Sequence, residues 1–101
     1  LGCYTAKGLA GFVNNPSTDR KAATSALAAS VGAKVTQYSG LRGKYDFMAV
    51  IEGTFDQAAA AAMVAVSSGA VSDFTILEDI DLNNIATTAQ KMASSYKEPG
   101  K

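Results

Sequence analysis

Residues 45–52, Tyr-Asp-Phe-Met-Ala-Val-Ile-Glu, form the strongest predicted β-strand of this 101-residue chain. Its side chains alternate between two faces, with Tyr45, Phe47, Ala49 and Ile51 on one and Met48 and Val50 on the other. Successive side chains of a strand point to opposite faces of its sheet, and apolar residues on both faces are typical of a strand covered on two sides. The stretch therefore predicts a central strand with helices against one face and a second cover against the other.

Upstream of this strand the pattern predicts two further strands and a helix. Residues 1–5 are predicted as a short strand, and residues 6–16, rich in Gly and Asn, as a loop with at most one helical turn. A helix begins after a cap at Ser17, Thr18 or Asp19 and runs to Val31. Residues 34–38 form the next strand, which a glycine-containing turn joins to residues 45–52.

Downstream, Thr54 and Gln57 form a predicted capping box, which opens an alanine-rich helix that runs to Ser67. Residues 71–80 follow as a long predicted strand. Asp81 then caps a last helix, whose apolar side chains recur at helical spacing as far as Tyr96.

The order β-α-β-β-α-β-α predicts an α+β fold. Its most economical form is a ferredoxin-like sandwich over residues 1–96, with a four-stranded antiparallel sheet, two helices on one face and an extra C-terminal helix. Residues 97–101 are predicted as a polar tail. The chain is short enough for one core, so we expect a single domain.

The second face of this sheet requires a cover, because a monomer would expose its apolar residues as one patch. A second copy packed face to face would give a dimeric α+β barrel, so we expect a homodimer or a larger homo-oligomer. If the C-terminal helix covers that face alone, a monomer becomes possible.

Composition excludes several classes of function. The formal net charge is zero, which argues against binding to nucleic acid or to an anionic membrane. The chain has no His and one Cys, and it lacks a glycine-rich phosphate loop, so we expect no metal site and no cofactor. No leader or membrane-spanning stretch is visible, and one Cys forms no internal disulfide, which predicts a cytoplasmic protein.

Several motifs resemble those of the GYD-domain family. Residues 1–9, Leu-Gly-Cys-Tyr-Thr-Ala-Lys-Gly-Leu, are similar to its opening strand and Y-T-x-x-G-L turn, and residues 43–46, Gly-Lys-Tyr-Asp, match G-x-Y-D. Residues 50–60 resemble its strand, acidic turn and alanine-rich helix. The resemblance covers about residues 1–80. It implies a dimeric α+β barrel that forms dimers or larger rings, and it carries no settled activity.

Tyr45 and Asp46 are the first candidate site residues. Asp46 is a candidate general base in an apolar pocket, and Tyr45 a candidate hydrogen-bond donor to a ligand. Alternatively, Asp46 accepts backbone N–H groups of the Gly40–Gly43 turn and fixes the hairpin.

Tyr4 and Tyr38 are predicted on neighbouring strands, where Tyr45 and Phe74 would join them in lining an aromatic ligand pocket. The alternative is ordinary packing of these rings on the sheet. The lone Cys3 has no base beside it in the sequence and is expected to be a structural thiol.

Three functions remain open at this stage. The first is an oligomeric module that binds a small molecule or assembles with a partner. The second is an accessory subunit whose helices dock on a larger protein complex. The third is a small cofactor-independent enzyme that uses Asp46 and the tyrosines. The absence of His weighs against the enzyme, because His is the commonest general base at neutral pH.

Overall fold

The computed structural model describes residues 1–97 and residue 99. Four strands and four helices follow one another along the chain. In chain order they are β1 (Cys3–Tyr4), α1 (Ala6–Asn14), α2 (Arg20–Ala29), β2 (Lys34–Gly40), β3 (Phe47–Glu52), α3 (Phe55–Ser67), β4 (Val71–Ser72) and α4 (Leu82–Ser95).

The strands pair as two antiparallel ladders, β2 with β3 and β1 with β4. An antiparallel bridge between Gly2 and Phe47 joins the two ladders. The spatial order is therefore β2, β3, β1, β4, with every neighbour antiparallel. This order confirms an α+β architecture compatible with the predicted ferredoxin-like sandwich. Residues 1–97 of a single chain form no closed barrel.

The core lies between this sheet and the helices α2 and α3, and it is built mainly from small side chains. Its buried apolar residues are Ala28, Ala33, Val35, Phe47 and Ala62. Phe47, only 4% exposed, is the one large side chain among them. Alanine lets helices lie close to a sheet, but it fills little of the space between them.

The predicted helix starts are confirmed at three places. Asp19 accepts the N–H of Ala22, and Asp81 accepts the N–H of Asn84. Thr54 and Gln57 form the full capping box that opens α3. Each cap satisfies backbone N–H groups that the first helical turn leaves without a partner.

The expectation of a loop over residues 6–16 was wrong, because residues 6–14 form α1. Thr5 caps this helix by accepting the N–H of Gly8. A Cβ atom on Gly8 would lie 2.3 Å from the carbonyl oxygen of Ala70. The absence of a side chain at Gly8 therefore lets α1 lie close to Ala70, the residue before β4. This glycine does not mark a loop.

The prediction of a strand over residues 71–80 was also too long, since β4 ends at Ser72. Asp73 follows with a φ of 50°, which breaks the pairing like a bulge. The pairing resumes at Thr75, which exchanges two backbone hydrogen bonds with Leu1 at 2.8 and 3.0 Å. Beyond Thr75 the described residues provide no neighbouring strand.

The last helix is present as predicted but does not cover the open face of the sheet. All residues of α4 are exposed, including its apolar stripe. The chain measures 67 × 28 × 21 Å and has a radius of gyration of 19.0 Å. A compact chain of this length has a radius of about 13 Å, so α4 extends away from the body as an arm.

Residues 98, 100 and 101 of the predicted polar tail, 97–101, lie outside the described residues. Other boundaries differ slightly from the predictions, and β2 ends at Gly40, two residues after Tyr38. The helix α2 ends at Ala29, two residues before Val31, and β3 begins at Phe47, two residues after Tyr45. Within the described ranges, no helix combines the length and the apolar character needed to cross a bilayer.

Candidate functional site

Five aromatic rings form one cluster on the side of the sheet that faces the helices. Phe47 lies at its centre, with Tyr4 and Tyr38 stacked on it at centroid distances of 4.9 and 5.5 Å. Phe12 of α1 meets Tyr4 edge-on at 5.1 Å, and Phe74 meets Phe47 edge-on at 6.0 Å. Such pairs are stabilising, at about 0.5–1.5 kcal/mol each beyond the burial of their area.

The two tyrosines of this cluster point their hydroxyl groups at each other. The Tyr4 hydroxyl shares a hydrogen bond with the Tyr38 hydroxyl. Burial raises the pKa of Tyr38 above its ordinary value, and the hydrogen bond with Tyr4 raises it further. Tyr38 is therefore a neutral phenol near pH 7, and one hydroxyl hydrogen of the pair is available to an acceptor.

Arg20, the first residue of α2, places its guanidinium over two of these rings. Its Cζ lies 4.5 Å from the Phe12 centroid and 5.5 Å from the Tyr4 centroid. Its Nη2 donates a hydrogen bond to the carbonyl oxygen of Gly8 at 3.0 Å. The Nε atom is buried and has no hydrogen-bond partner within the described part of the chain. A buried N–H without an acceptor is costly, by about 1–3 kcal/mol.

A cavity of about 170 Å³ lies between the sheet and the helices α2 and α3. Its walls are mostly apolar. The helix α3 contributes only alanines to them, at positions 58, 61 and 65, and Ser68 follows directly after the helix. The cavity exists because these side chains are too short to reach the sheet. A cavity of about 150 Å³ is large enough to hold a benzene ring.

Tyr4, Arg20 and Tyr38 also line an open groove of about 480 Å³ on the outer surface, beside Phe12 and Gly40. These three polar side chains therefore stand between the apolar cavity and solvent. We call them the polar mouth of the cavity. An apolar chamber with a few converging polar groups is the usual form of a small-molecule site.

Of the residues predicted from the sequence, Tyr4, Tyr38 and Phe74 line this cavity together. Tyr45 does not join them. Its hydroxyl lies 3.0 Å from the Thr75 hydroxyl, and the Lys44 amine lies 5.6 Å from its ring centroid. Tyr45 is absent from the residues that line the cavity.

Asp46 holds β1 against the hairpin. Its Oδ2 accepts the backbone N–H of Tyr4 at 2.8 Å, and its own N–H bonds the Gly2 carbonyl at 2.9 Å. The sequence suggested the N–H groups of residues 40–43 as partners. Leu41 does donate its N–H to Asp46 at 2.8 Å, but the acceptor is the backbone carbonyl, and the carboxylate bonds Tyr4. Asp46 thus fixes the position of one tyrosine of the polar mouth and lies outside the cavity lining.

Sequence reasoning missed Arg20, Phe12 and Phe47 as site residues. Phe12 lies in the segment that was expected to be a loop, and Phe47 was interpreted only as part of the core. Nothing local in the sequence marked Arg20, because the side chains that place its guanidinium come from β1 and α1.

Comparison with known proteins gives one match. The model of the GYD domain matches residues 1–89 of the 101. Neither a curated protein nor a solved structure matched the chain. The family match spans β1 through most of α4 and includes the polar mouth, the cavity and both ladders of the sheet. The chain therefore belongs to the GYD-domain family.

Proposed function

We propose that this protein is a small-molecule-binding module whose ligand occupies the cavity between the sheet and the helices α2 and α3. The observation that carries the proposal is the polar mouth. There a guanidinium with an unpartnered Nε meets two hydrogen-bonded phenols at the opening of an apolar chamber.

The chemistry of the mouth favours a ligand with a carboxylate. A guanidinium binds carboxylates through paired N–H groups, and hydrogen bonds to charged groups are worth about 1.5–3 kcal/mol. The Nε of Arg20 supplies a donor that lacks an acceptor. The apolar walls and the modest volume favour a body about as large as one ring or a short alkyl chain.

A thermal-shift panel tests this proposal. It contains benzoate, phenylacetate and hexanoate, each paired with the alcohol of the same carbon skeleton. We expect a carboxylate at 100 times its dissociation constant to raise the melting temperature by about 10 °C, since it adds about 2.7 kcal/mol to the native state. The matching alcohol should give a smaller shift.

Arg20→Gln and Lys34→Gln form a matched pair of variants, because the second removes an exposed charge that lines neither the cavity nor the outer groove. Arg20→Gln should weaken carboxylate binding about 10- to 100-fold, as expected for one charged hydrogen bond. Lys34→Gln should leave carboxylate binding unchanged. Equal shifts with all three proteins, or no shift with any carboxylate, would overturn the proposal.

We infer further that the module is a homo-oligomer. Val50, on the sheet face away from the helices, is 41% exposed, and Met48 beside it is half-buried. Burying these side chains against a second copy would give the dimeric α+β barrel that the sequence predicts. The free thiol of Cys3 and the zero net charge support a cytoplasmic setting without nucleic acid or membrane as a partner.

A second candidate function is docking on a larger protein through α4. Its exposed apolar stripe supports this alternative, with Leu82, Ile85 and Met92 at 69%, 50% and 68% exposure. Removal of residues 82–101 should then abolish capture of a stoichiometric partner from the source cell and leave carboxylate binding intact. The enzymatic alternative loses support, because the Asp46 carboxylate is already bonded to the Tyr4 amide.

A further inference from the structure

The outer face of α3, which points away from the sheet, is apolar and exposed. Ala60, Met63 and Ser67 follow one another on this face at helical spacing, with Val64 beside them. Met63 is 74% exposed, and α3 has no charged residue after Asp56. The outer face of a surface helix usually carries charged and polar residues, so this face is typical of a helix that packs against another helix.

The helix α4 has an apolar stripe of matching length and no partner within the described residues. Leu82, Ile85, Ala89 and Met92 recur at helical spacing in it, and all four are exposed. Isolated helices shorter than about 12–15 residues are marginal in water, and α4 has 14 residues. A stable α4 therefore requires a surface to pack on, and α3, with 13 residues, has almost the same length.

The charges at the helix ends favour antiparallel packing of α4 on α3. The helix α4 starts at its cap Asp81 and is followed by Lys97, whereas α3 has Asp56 in its first turn. The amine of Lys7 lies at the other end of α3, where it donates to the Ser68 carbonyl oxygen at 2.8 Å. Antiparallel packing brings Asp81 toward Lys7 and Lys97 toward Asp56, and it sets the two helix dipoles in opposite directions. Parallel packing would bring like charges together.

The chain cannot form this antiparallel pair with its own α3. Residues 76–79 line a cavity of about 380 Å³ together with Phe55, the first residue of α3. Asp81 follows two residues after Asp79, a reach of at most about 7 Å. The far end of α3, at Ser67, lies about 18 Å from Phe55 along the helix axis. Within one chain, α4 could therefore lie along α3 only in the parallel direction, which the charges disfavour.

We propose that α4 of one copy packs antiparallel on the outer face of α3 of a second copy. This register brings Ile85 opposite Met63 and Val64, and Ala89 opposite Ala60. The small side chains of the two alanines let the helix axes approach closely. When each copy docks its α4 on the other, the exchange has two-fold symmetry and closes as a dimer. The contact uses the outer faces of helices and is separate from the open face of the sheet.

A pair of complementary charges tests the exchange. Met63→Glu places a carboxylate on the outer face of α3, and Ile85→Lys places an amine on the stripe of α4, at positions that the proposed register makes neighbours. Both side chains are exposed in the single chain, so neither variant should unfold it. Thr87→Lys, on the opposite face of α4, is the matched control for the added charge.

The measurement is hydrogen exchange of the Ala86 and Ala89 amides in α4. In the wild type and in Thr87→Lys, exchange should slow at least about tenfold between low and high micromolar protein concentration, because the second copy covers α4. Met63→Glu alone and Ile85→Lys alone should lack this protection, since each buries an unpaired charge. An equimolar mixture of the two should recover it. Each mixed dimer contains one unchanged helix pair and one pair with opposite charges.

The proposal fails if protection is the same at all concentrations, since α4 would then pack within its own chain. It fails equally if the mixture recovers no protection, or if the wild-type α4 is unprotected throughout. Protection that appears only after addition of an extract of the source cell would identify a different protein as the partner of α4 and would also refute the exchange.

Discussion

Gly8 shows how one residue sets the distance between two segments. It lies inside α1, where Ala is favoured over Gly by about 1 kcal/mol. A Cβ atom here would nevertheless meet the Ala70 carbonyl oxygen at 2.3 Å and its carbon at 3.2 Å. Backbone atoms cannot yield as a flexible side chain can, so the close approach outweighs the helix propensity.

Gly8→Ala should therefore lower the free energy of unfolding by about 1–3 kcal/mol, measured by urea denaturation. Gly11→Ala is the matched control in the same helix, since its Cβ would meet no backbone atom and only the end of the Arg20 side chain, 2.9 Å from Nη2. If Gly8→Ala is as stable as Gly11→Ala, the close packing of α1 against Ala70 is refuted.

Because of the Tyr38 phenol, the free energy of unfolding should fall at alkaline pH. Burial, and then the hydrogen bond with Tyr4, raise the pKa of Tyr38 above the ordinary 10.0. Above about pH 10 the unfolded chain ionises this group while the folded chain keeps it protonated, so the unfolded state binds fewer protons and stability falls. Below that pH the contribution is fully present.

When the pH is raised from about 8 to about 11, the urea midpoint of Tyr38→Phe should fall by less than that of the wild type. Tyr96→Phe, a change at an exposed tyrosine of the α4 arm, should behave as the wild type does. Identical alkaline losses in all three proteins would show that Tyr38 ionises normally.

Among the elements, α3 determines whether the cavity exists. Ala61 lines the cavity and is half-buried, whereas Ala60 beside it is exposed. Ala61→Leu should fill the cavity, raise the free energy of unfolding by about 0.5–2 kcal/mol and abolish carboxylate binding. Ala60→Leu has the same change in helix propensity and should leave binding unaltered. Unchanged calorimetric titrations of benzoate in both variants would place the ligand elsewhere.

The elements that the sequence predicted well depend on local rules. The capping box at Thr54 and the alternation over residues 47–52 each involve neighbours in the chain, so α3 and β3 were found with nearly correct limits. Tyr4 and Tyr38 were predicted on neighbouring strands, which was wrong, because β3 lies between β1 and β2. Their side chains nevertheless meet, since both rings stack on Phe47 of β3.

The errors arise where a distant contact decides the structure. The glycines of α1 resembled a loop, because nothing local reveals that Gly8 must approach Ala70. The strand predicted over residues 71–80 depends on a partner strand, and beyond Thr75 the described chain supplies none. Arg20 could not be assigned to the site, since its neighbours Phe12 and Tyr4 come from other elements.

For the molecule as a whole, the open sheet face and the α4 arm both leave apolar surface exposed. We expect sedimentation equilibrium at micromolar concentration to show a dimer or a larger species. Val50→Lys should weaken association at least about tenfold, because it places a charge on that face. Ala10→Lys, on the exposed side of α1, is the control. A stable monomer of the wild-type chain would refute the expectation of an oligomer.

The most direct test of binding in the interior of the molecule is to map the changes in backbone amide NMR chemical shifts that benzoate causes in solution. The proposed function predicts that the changes concentrate around the cavity, at Phe47, Ala61 and Ala65, and around Arg20 at its mouth. They should disappear in Arg20→Gln at the same benzoate concentration. Changes confined to the α4 arm, or none at millimolar benzoate, would contradict it.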